Sequence, residues 1–121
     1  MSLPLLIAIV DDDPGVRGSV HSLLRSAGLD GVGFAAAEDL LAYDTPRDLD
    51  CIVTDLHMPG LSGIELQEQL ALRHWHTPLI LMTAYPTDMA RQLAMSSGAV
   101  DFLTKPVDPD ALLHAIEEAT L

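Results

Sequence analysis

Residues 5–14 read LLIAIVDDDP and contain a complete strand-to-helix junction. Six apolar residues without a polar interruption are typical of a strand that is buried on both faces of a parallel sheet. Asp13 and Pro14 then match an N-cap and the first residue of a helix, because the aspartate accepts from free helical N–H groups and proline has none to satisfy. The junction therefore predicts a βα unit with acidic residues at the carboxyl end of its strand.

The same alternation of short apolar runs and helical patterns repeats along the chain. We expect strands over residues 5–10, 31–35, 51–54, 78–82 and 99–104, and helices over residues 14–27, 38–43, 63–73, 88–97 and from 109 onwards. The second apolar run is rich in glycine, which weakens a strand and favours a place at the sheet edge. Five βα units predict an α/β domain whose parallel sheet carries helices on both faces.

The charge balance excludes several classes of partner. The chain has 121 residues, 18 acidic and 6 basic side chains, and a formal net charge of −12. Phosphate-rich surfaces would be repelled, so we expect neither direct nucleic-acid binding nor membrane association. Lys105 is the single lysine, since the other five cations are arginines. The length predicts one domain over residues 1–121, with no room for a second domain.

The cysteine content and the N-terminal segment predict a cytoplasmic protein. Cys51 is the single cysteine and lies in an apolar run, which is typical of an inert buried thiol in a reducing compartment. The apolar run of residues 3–10 is too short to cross a bilayer. It also lacks the basic n-region of a signal peptide.

Chemically capable side chains follow four of the five predicted strands. They are Asp11 and Asp12, Asp55, Thr83 and Lys105. Parallel strands present their carboxyl ends at one rim, where ligands bind in open α/β sheets. Clustered carboxylates repel one another and favour a hard divalent cation such as Mg²⁺. A carboxylate can also accept a phosphoryl group, whose oxygens a lysine and a threonine hydroxyl would then stabilise.

Four motifs carry a resemblance to a known family. They are Ile9-Val10-Asp11-Asp12, Val53-Thr54-Asp55-Leu56-His57-Met58-Pro59-Gly60-Leu61-Ser62-Gly63, Met82-Thr83-Ala84 and Val100-Asp101-Phe102-Leu103-Thr104-Lys105-Pro106. Together they resemble the response-regulator receiver domains of two-component systems, from Ile7 to the last helix. The run Gly98–Phe102 is most similar to the FixJ subfamily. The resemblance implies a CheY-like (flavodoxin-like) sheet of five parallel strands in the order 2-1-3-4-5.

The resemblance assigns a phosphoryl-transfer site. Asp55 would be the phosphoacceptor and Lys105 would bind the phosphoryl oxygens. Asp12 and Asp55 would bind Mg²⁺ directly, with Mn²⁺ as a possible substitute, and Asp11 would act through a water. The backbone carbonyl of His57 would be a further metal ligand, so the identity of its side chain is not decisive.

The resemblance also assigns a switch and a signalling role. Thr83 would be the switch hydroxyl and Phe102 the switch aromatic, which turns inward when Thr83 moves towards the phosphate. The Lys105–Pro106 bond would be cis. The protein would not be an enzyme beyond its own phosphotransfer and autodephosphorylation. A sensor histidine kinase would be the phosphoryl donor, and the surface of the fourth helix, fifth strand and fifth helix would mediate phosphorylation-dependent homodimerisation or partner binding. Transcription would be controlled through an output domain absent from this chain.

Three other functions fit the same layout less well. A phosphatase of the haloacid dehalogenase type needs a second acid two residues after its nucleophile, where His57 stands. A flavodoxin-like FMN carrier needs a phosphate-binding loop after the first strand, where three acids stand instead. The stronger rival is a degenerate receiver that acts as a phosphorylation-independent scaffold, and the intact acid set argues against it. His74 and His76 flank a tryptophan and are interpreted as a loop, not as a metal site.

Overall fold

The computed structural model describes residues 4–121, so Met1–Leu3 of the predicted domain lie outside the described residues. Within residues 4–121, five strands and five helices alternate, and a short 3₁₀ turn at Pro46–Asp48 precedes the third strand. They are β1 (Leu6–Val10), α1 (Pro14–Ser26), β2 (Asp30–Phe34), α2 (Ala37–Leu41), β3 (Cys51–Asp55), α3 (Gly63–Leu72), β4 (Leu79–Thr83), α4 (Asp88–Ser96), β5 (Asp101–Thr104) and α5 (Pro109–Ala119).

The sheet is parallel throughout and has the order β2-β1-β3-β4-β5, which confirms the predicted architecture. The register pairs Val10 with Thr54, Asp55 with Met82 and Thr83 with Thr104. These four strands therefore end at nearly the same height. The side chains that follow them are brought to one rim, as the sequence pattern requires.

Alternation along the strands divides the core into two layers. One layer joins alternate residues of the sheet, such as Ile52 and Leu81, to buried positions of α2, α3 and α4. The other joins the intervening residues, such as Val53 and Met82, to α1 and α5. Every residue of β3 and β4 is buried, which explains why Cys51–Val53 and Leu79–Met82 are continuous apolar runs.

Side-chain caps begin α1 and α3 where the sequence places them. Asp13 accepts from the amides of Gly15 and Val16, and Pro14 is the first residue of α1. Ser62 and Glu65 form the predicted capping box of α3. These caps satisfy amides that have no partner within their helix and so fix where each helix starts above the sheet.

Two predicted elements have a boundary that differs from the structure by two residues, whereas the other predicted boundaries agree to within one residue. The helix expected over residues 38–43 ends at Leu41, because the Tyr43 amide donates to the Leu40 carbonyl and so closes a tighter turn. The Tyr43 ring also packs edge-on against the Phe34 ring. The strand expected from residue 99 starts at Asp101, because the Ala99 amide still binds the last turn of α4.

β2 is the glycine-rich edge strand that the sequence predicted, and its glycines face α1. A Cβ on Gly31 would lie 3.1 Å from Ile9 and 3.2 Å from Leu24, so the missing side chain allows α1 to approach the sheet. Packing therefore compensates for the low strand propensity of glycine.

No helix within residues 4–121 has the length and hydrophobicity that a membrane crossing requires.

Candidate functional site

Asp11 is the most constrained residue at the carboxyl rim. Its side chain is fully buried, and all its polar groups have partners. The amide donates to the Phe34 carbonyl at 3.1 Å and the carbonyl accepts from Arg17 Nη1 at 2.6 Å. Oδ1 accepts from the Asp13 amide at 2.9 Å and Oδ2 from Lys105 Nζ at 2.7 Å. The Asp11 carboxylate is therefore held in one position, next to the exposed Asp12.

Asp11, Asp12 and Asp55 form an acidic cluster. Each presents a carboxylate oxygen, and these oxygens lie within 4.8 Å of one another. Oxygen donors at this spacing fit a hard divalent cation, and the exposed Asp12 leaves one side open to water and to a ligand. The three carboxylates predicted from the sequence are thus brought together, and their donor chemistry fits Mg²⁺.

Asp55 ends β3 and is buried, with 7% of its surface exposed. Its Oδ1 accepts from the His57 amide at 3.4 Å, and its Oδ2 lies 3.4 Å from Lys105 Nζ. Burial raises the pKa of the Asp55 carboxyl above its ordinary value, the charge of Lys105 opposes this shift, and the charge of Asp11 adds to it. A positive charge at this pocket therefore favours the ionised form of Asp55.

Lys105 supplies a positive charge shared by two carboxylates. Its Nζ lies 2.7 Å from Asp11 and 3.4 Å from Asp55. Burial alone would lower the pKa of Lys105, but the hydrogen bond and charge of Asp11, together with Asp55, outweigh it and the pKa is raised. The Lys105 amide donates to the Thr83 carbonyl at 2.8 Å, and the bond to Pro106 is cis as expected. The backbone of Lys105 is thus held by a hydrogen bond to the last residue of the adjoining strand β4.

Thr83 is the last residue of β4, and Phe102 is the second residue of the neighbouring β5, where it pairs with Leu81. Thr83 is fully buried, and its Oγ1 accepts from the Tyr85 amide at 3.0 Å, which leaves the hydroxyl proton free to donate. The Phe102 ring is packed in the core, 6.0 Å from the Arg91 guanidinium. Phe102 therefore already has the inward position that the resemblance assigns to the activated state.

The remaining predicted site residue, His57, exposes its side chain. Its ring stands edge-on to that of Tyr85, with 5.9 Å between centroids. His74 and His76 stay outside the acidic cluster, which is the one such metal-capable group in residues 4–121.

Sequence reasoning missed two residues that hold the loops of this site. Arg17 binds the Asp11 carbonyl, and Glu38 Oε1 accepts from the Leu61 amide at 2.8 Å in the loop between β3 and α3. That hydrogen bond lowers the pKa of the Glu38 carboxyl. Glu38 packs against Gly60, whose φ of +79° favours glycine. Neither residue lies in a distinctive spacing, so nothing in the sequence separates it from surface charges.

The raised pKa of Asp55 predicts a pH dependence of stability. A carboxyl whose pKa is higher in the folded state costs stability when it ionises, so this cost appears as the pH rises from the unfolded pKa through the folded pKa. Without divalent cations, Asp55→Asn is expected to have a higher Tm than wild type at pH 7. The difference should vanish at pH values below the ordinary aspartate pKa, where Asp55 is protonated in both states.

Thermal unfolding in EDTA across this pH range tests the expectation. Glu68→Gln is a matched control, because Glu68 is exposed and has no side-chain hydrogen bond within residues 4–121. An Asp55→Asn variant no more stable than Glu68→Gln at pH 7 would contradict the cause given for the shift.

Known proteins resemble this chain along nearly its whole length. A family model described as "Response regulator receiver domain" matches residues 7–117. The chain is 39% identical over 119 residues to nodulation protein W of Bradyrhizobium diazoefficiens, covering 98% of the chain and 52% of that protein. It is 42% identical over 115 residues to the transcriptional regulatory protein FixJ of Azorhizobium caulinodans, covering 95% of the chain and 54% of that protein. The chain thus spans about half the length of these relatives.

Solved structures agree. The response regulator StyR superposes with a TM-score of 0.86 at 41% identity, over 97% of this chain and 59% of that chain. The crystal structure of FixJ-N superposes with a TM-score of 0.87 at 34% identity, over 99% of this chain and 95% of that chain.

Proposed function

Because this chain belongs to the response-regulator receiver domain family, we propose that residues 1–121 are a receiver that accepts a phosphoryl group on Asp55. The donor is the phosphohistidine of a sensor histidine kinase, and the reaction depends on Mg²⁺. The observation that carries the proposal is the convergence of Asp11, Asp12 and Asp55 with the ammonium of Lys105 at one rim. The protein is a signalling module.

The proposed step is a simple transfer. A carboxylate oxygen of Asp55 attacks phosphorus while the bond from phosphorus to the donor imidazole nitrogen breaks, and that nitrogen keeps the electron pair. Because the other ring nitrogen of the donor carries a proton, the products are an acyl phosphate and a neutral imidazole. Asp12, Asp55 and the His57 carbonyl would hold Mg²⁺ directly and Asp11 through a water, and the ion would supply positive charge to the phosphoryl oxygens. The Lys105 ammonium turns from the two carboxylates towards one phosphoryl oxygen, and the Thr83 hydroxyl donates a hydrogen bond to another phosphoryl oxygen.

Incubation with acetyl phosphate and Mg²⁺, followed by intact mass measurement, tests this function. Wild type should gain the mass of one phosphoryl group, and Asp55→Asn should gain none. Asp30→Asn is the matched control, because Asp30 is exposed at the opposite end of the sheet and should be phosphorylated like wild type. Equal gain by Asp55→Asn would sink the assignment of Asp55. No gain by any form would favour the degenerate scaffold instead.

Phosphorylation is proposed to promote homodimerisation through the surface of α4, β5 and α5. This proposal is supported by exposed apolar side chains on α4: Met89 and Leu93 lie one turn apart with 72% and 50% exposure. Analytical ultracentrifugation with beryllofluoride and Mg²⁺ should give a dimer for wild type and a monomer for Leu93→Asp. Leu72→Asp, at an exposed site on α3, should dimerise like wild type. A wild type that stays monomeric would refute the proposed homodimerisation.

The biological output is proposed from the relatives. The similar FixJ protein is named a transcriptional regulatory protein and is about twice as long as the matched region. We therefore propose that this receiver controls transcription through an output domain outside these residues, in the cytoplasm. A reducing compartment suits the buried Cys51 thiol, whose pKa burial raises to about 12.

A further inference from the structure

Arg17 reaches from the first turns of α1 back to the loop that follows β1. Its Nη1 donates to the backbone carbonyl of Asp11 at 2.6 Å. Within residues 4–121 the guanidinium forms no ion pair, so this charge-assisted bond to a neutral carbonyl is its main polar contact. The stem of Arg17 passes over Gly33 of β2, where a Cβ would lie in ordinary van der Waals contact, 3.6 Å from Arg17 Cδ.

The hydrogen bond from Arg17 to the Asp11 carbonyl restrains the peptide unit between Asp11 and Asp12. The carbonyl of Asp11 and the amide of Asp12 share one rigid plane, so a donor on that carbonyl restricts the rotation of both. On the other side of Asp12, the Asp13 amide is held by Asp11 Oδ1, and the Asp13 carboxylate caps α1. Asp12 itself is exposed and makes no side-chain hydrogen bond within residues 4–121. The backbone on either side is therefore what aims its carboxylate.

We infer that Arg17 is a positioning residue for the metal site, which holds the Asp11–Asp12 peptide so that the Asp12 carboxylate points into the acidic cluster. The inference rests on the proposed Mg²⁺ site and adds a residue outside it. Partners of this kind, which orient a ligand without touching the metal, commonly contribute about tenfold or more to metal affinity.

Charge and positioning predict opposite signs for the loss of Arg17. Removing a cation near an acidic cluster strengthens Mg²⁺ binding if charge alone acts, because repulsion of the ion falls. Removing a positioning bond weakens Mg²⁺ binding, because Asp12 must then be ordered when the ion binds. Arg17→Met, which keeps most of the apolar stem, is expected to raise the Kd for Mg²⁺ about tenfold. Arg17→Lys, which retains the charge and one donor, should recover most of the affinity.

Titration calorimetry with MgCl₂ on the unphosphorylated protein gives the Kd values. Arg25→Met is the control, because it removes the same charge from an exposed position later in the same helix and should bind Mg²⁺ as wild type or slightly tighter. Urea unfolding identifies any variant that is not folded. If Arg17→Met is unfolded, Arg17→Gln replaces it, since its shorter amide also fails to reach the carbonyl.

The outcomes separate this inference from the proposed function. Weaker binding by Arg17→Met with recovery by Arg17→Lys supports the positioning role. Unchanged or tighter binding by Arg17→Met, while wild type binds Mg²⁺, overturns that role and leaves the proposed function standing. A wild type that binds no Mg²⁺ overturns the metal site itself.

Discussion

Lys105→Met is expected to destabilise the unphosphorylated, metal-free domain by about 3 kcal/mol at pH 7. The Lys105 ammonium lies 2.7 Å from Asp11, whose side chain has no exposure, and 3.4 Å from Asp55. Removing the ammonium leaves a buried carboxylate without its counter-charge, which costs more than losing an exposed ion pair. Urea unfolding in EDTA measures the loss.

The pH range of this effect follows from the pKa of Lys105. That pKa is raised in the folded state, so the stabilisation is fully present below the ordinary lysine pKa and is lost only as the pH rises through the folded value. The destabilisation of Lys105→Met should therefore be undiminished from neutral pH up to moderately alkaline pH.

Two further variants identify the cause. Asp11→Asn combined with Lys105→Met removes the unpaired charge and should recover much of the lost stability. Saturating Mg²⁺ should also reduce the difference in stability between Lys105→Met and wild type, because the ion would supply positive charge to the same carboxylates. Arg47→Met, which removes an exposed cation without an ion pair in residues 4–121, should change stability little. If Lys105→Met cost no more than Arg47→Met, the shared lysine would not be what compensates the buried Asp11.

The sequence predicted this rim because strand ends are marked locally. Burial on both sides makes Cys51–Val53 and Leu79–Met82 continuous apolar runs, so the polar residues that follow them, up to Asp55 and Thr83, mark the carboxyl ends of β3 and β4. Parallel pairing then brings those ends together without further information. The fold class, the edge position of β2 and the cap at Asp13 follow from the same local patterns.

What the sequence did not predict depends on contacts between distant segments. Glu38 and Leu61 are 23 residues apart, and their bond exists because α2 and the loop after β3 share one side of the rim. Arg17 is close to Asp11 in sequence, but its side chain runs along β2, passing over Gly33, and this path depends on how α1 packs on the sheet. The inward packing of Phe102 likewise reflects a choice between rotamers that a pattern of residue types leaves open.

Gly63→Ala is expected to destabilise the domain by about 2–3 kcal/mol and to slow phosphorylation of Asp55. Gly63 is the first residue of α3, and its amide closes the loop after β3 by donating to the Leu56 carbonyl at 2.9 Å. A Cβ on Gly63 would clash with Leu81 and would lie 2.7 Å from the Asp55 carbonyl oxygen. Leu81 can change rotamer, but the Asp55 carbonyl moves only with the backbone of the phosphoacceptor.

Gly18→Ala is the matched control for this prediction. Gly18 lies within α1 and is exposed, and a Cβ on it would meet no atom within 4 Å. Alanine there should stabilise the domain by up to about 1 kcal/mol, because it lowers the entropy of the unfolded chain and favours the helix. Urea unfolding and phosphorylation by acetyl phosphate measure both variants.

The comparison separates two reasons for a glycine near the site. Gly60 has a φ of +79° and is needed for its backbone conformation, whereas Gly63 is not among the positive-φ glycines and is needed for space. A Gly63→Ala variant as stable as wild type would mean that the loop gives way easily. Asp55 would then owe its position to Lys105 and its strand. Loss of both stability and phosphorylation would mean that close packing of α3 on β3 sets the position of the Asp55 carboxylate relative to Asp11 and Asp12.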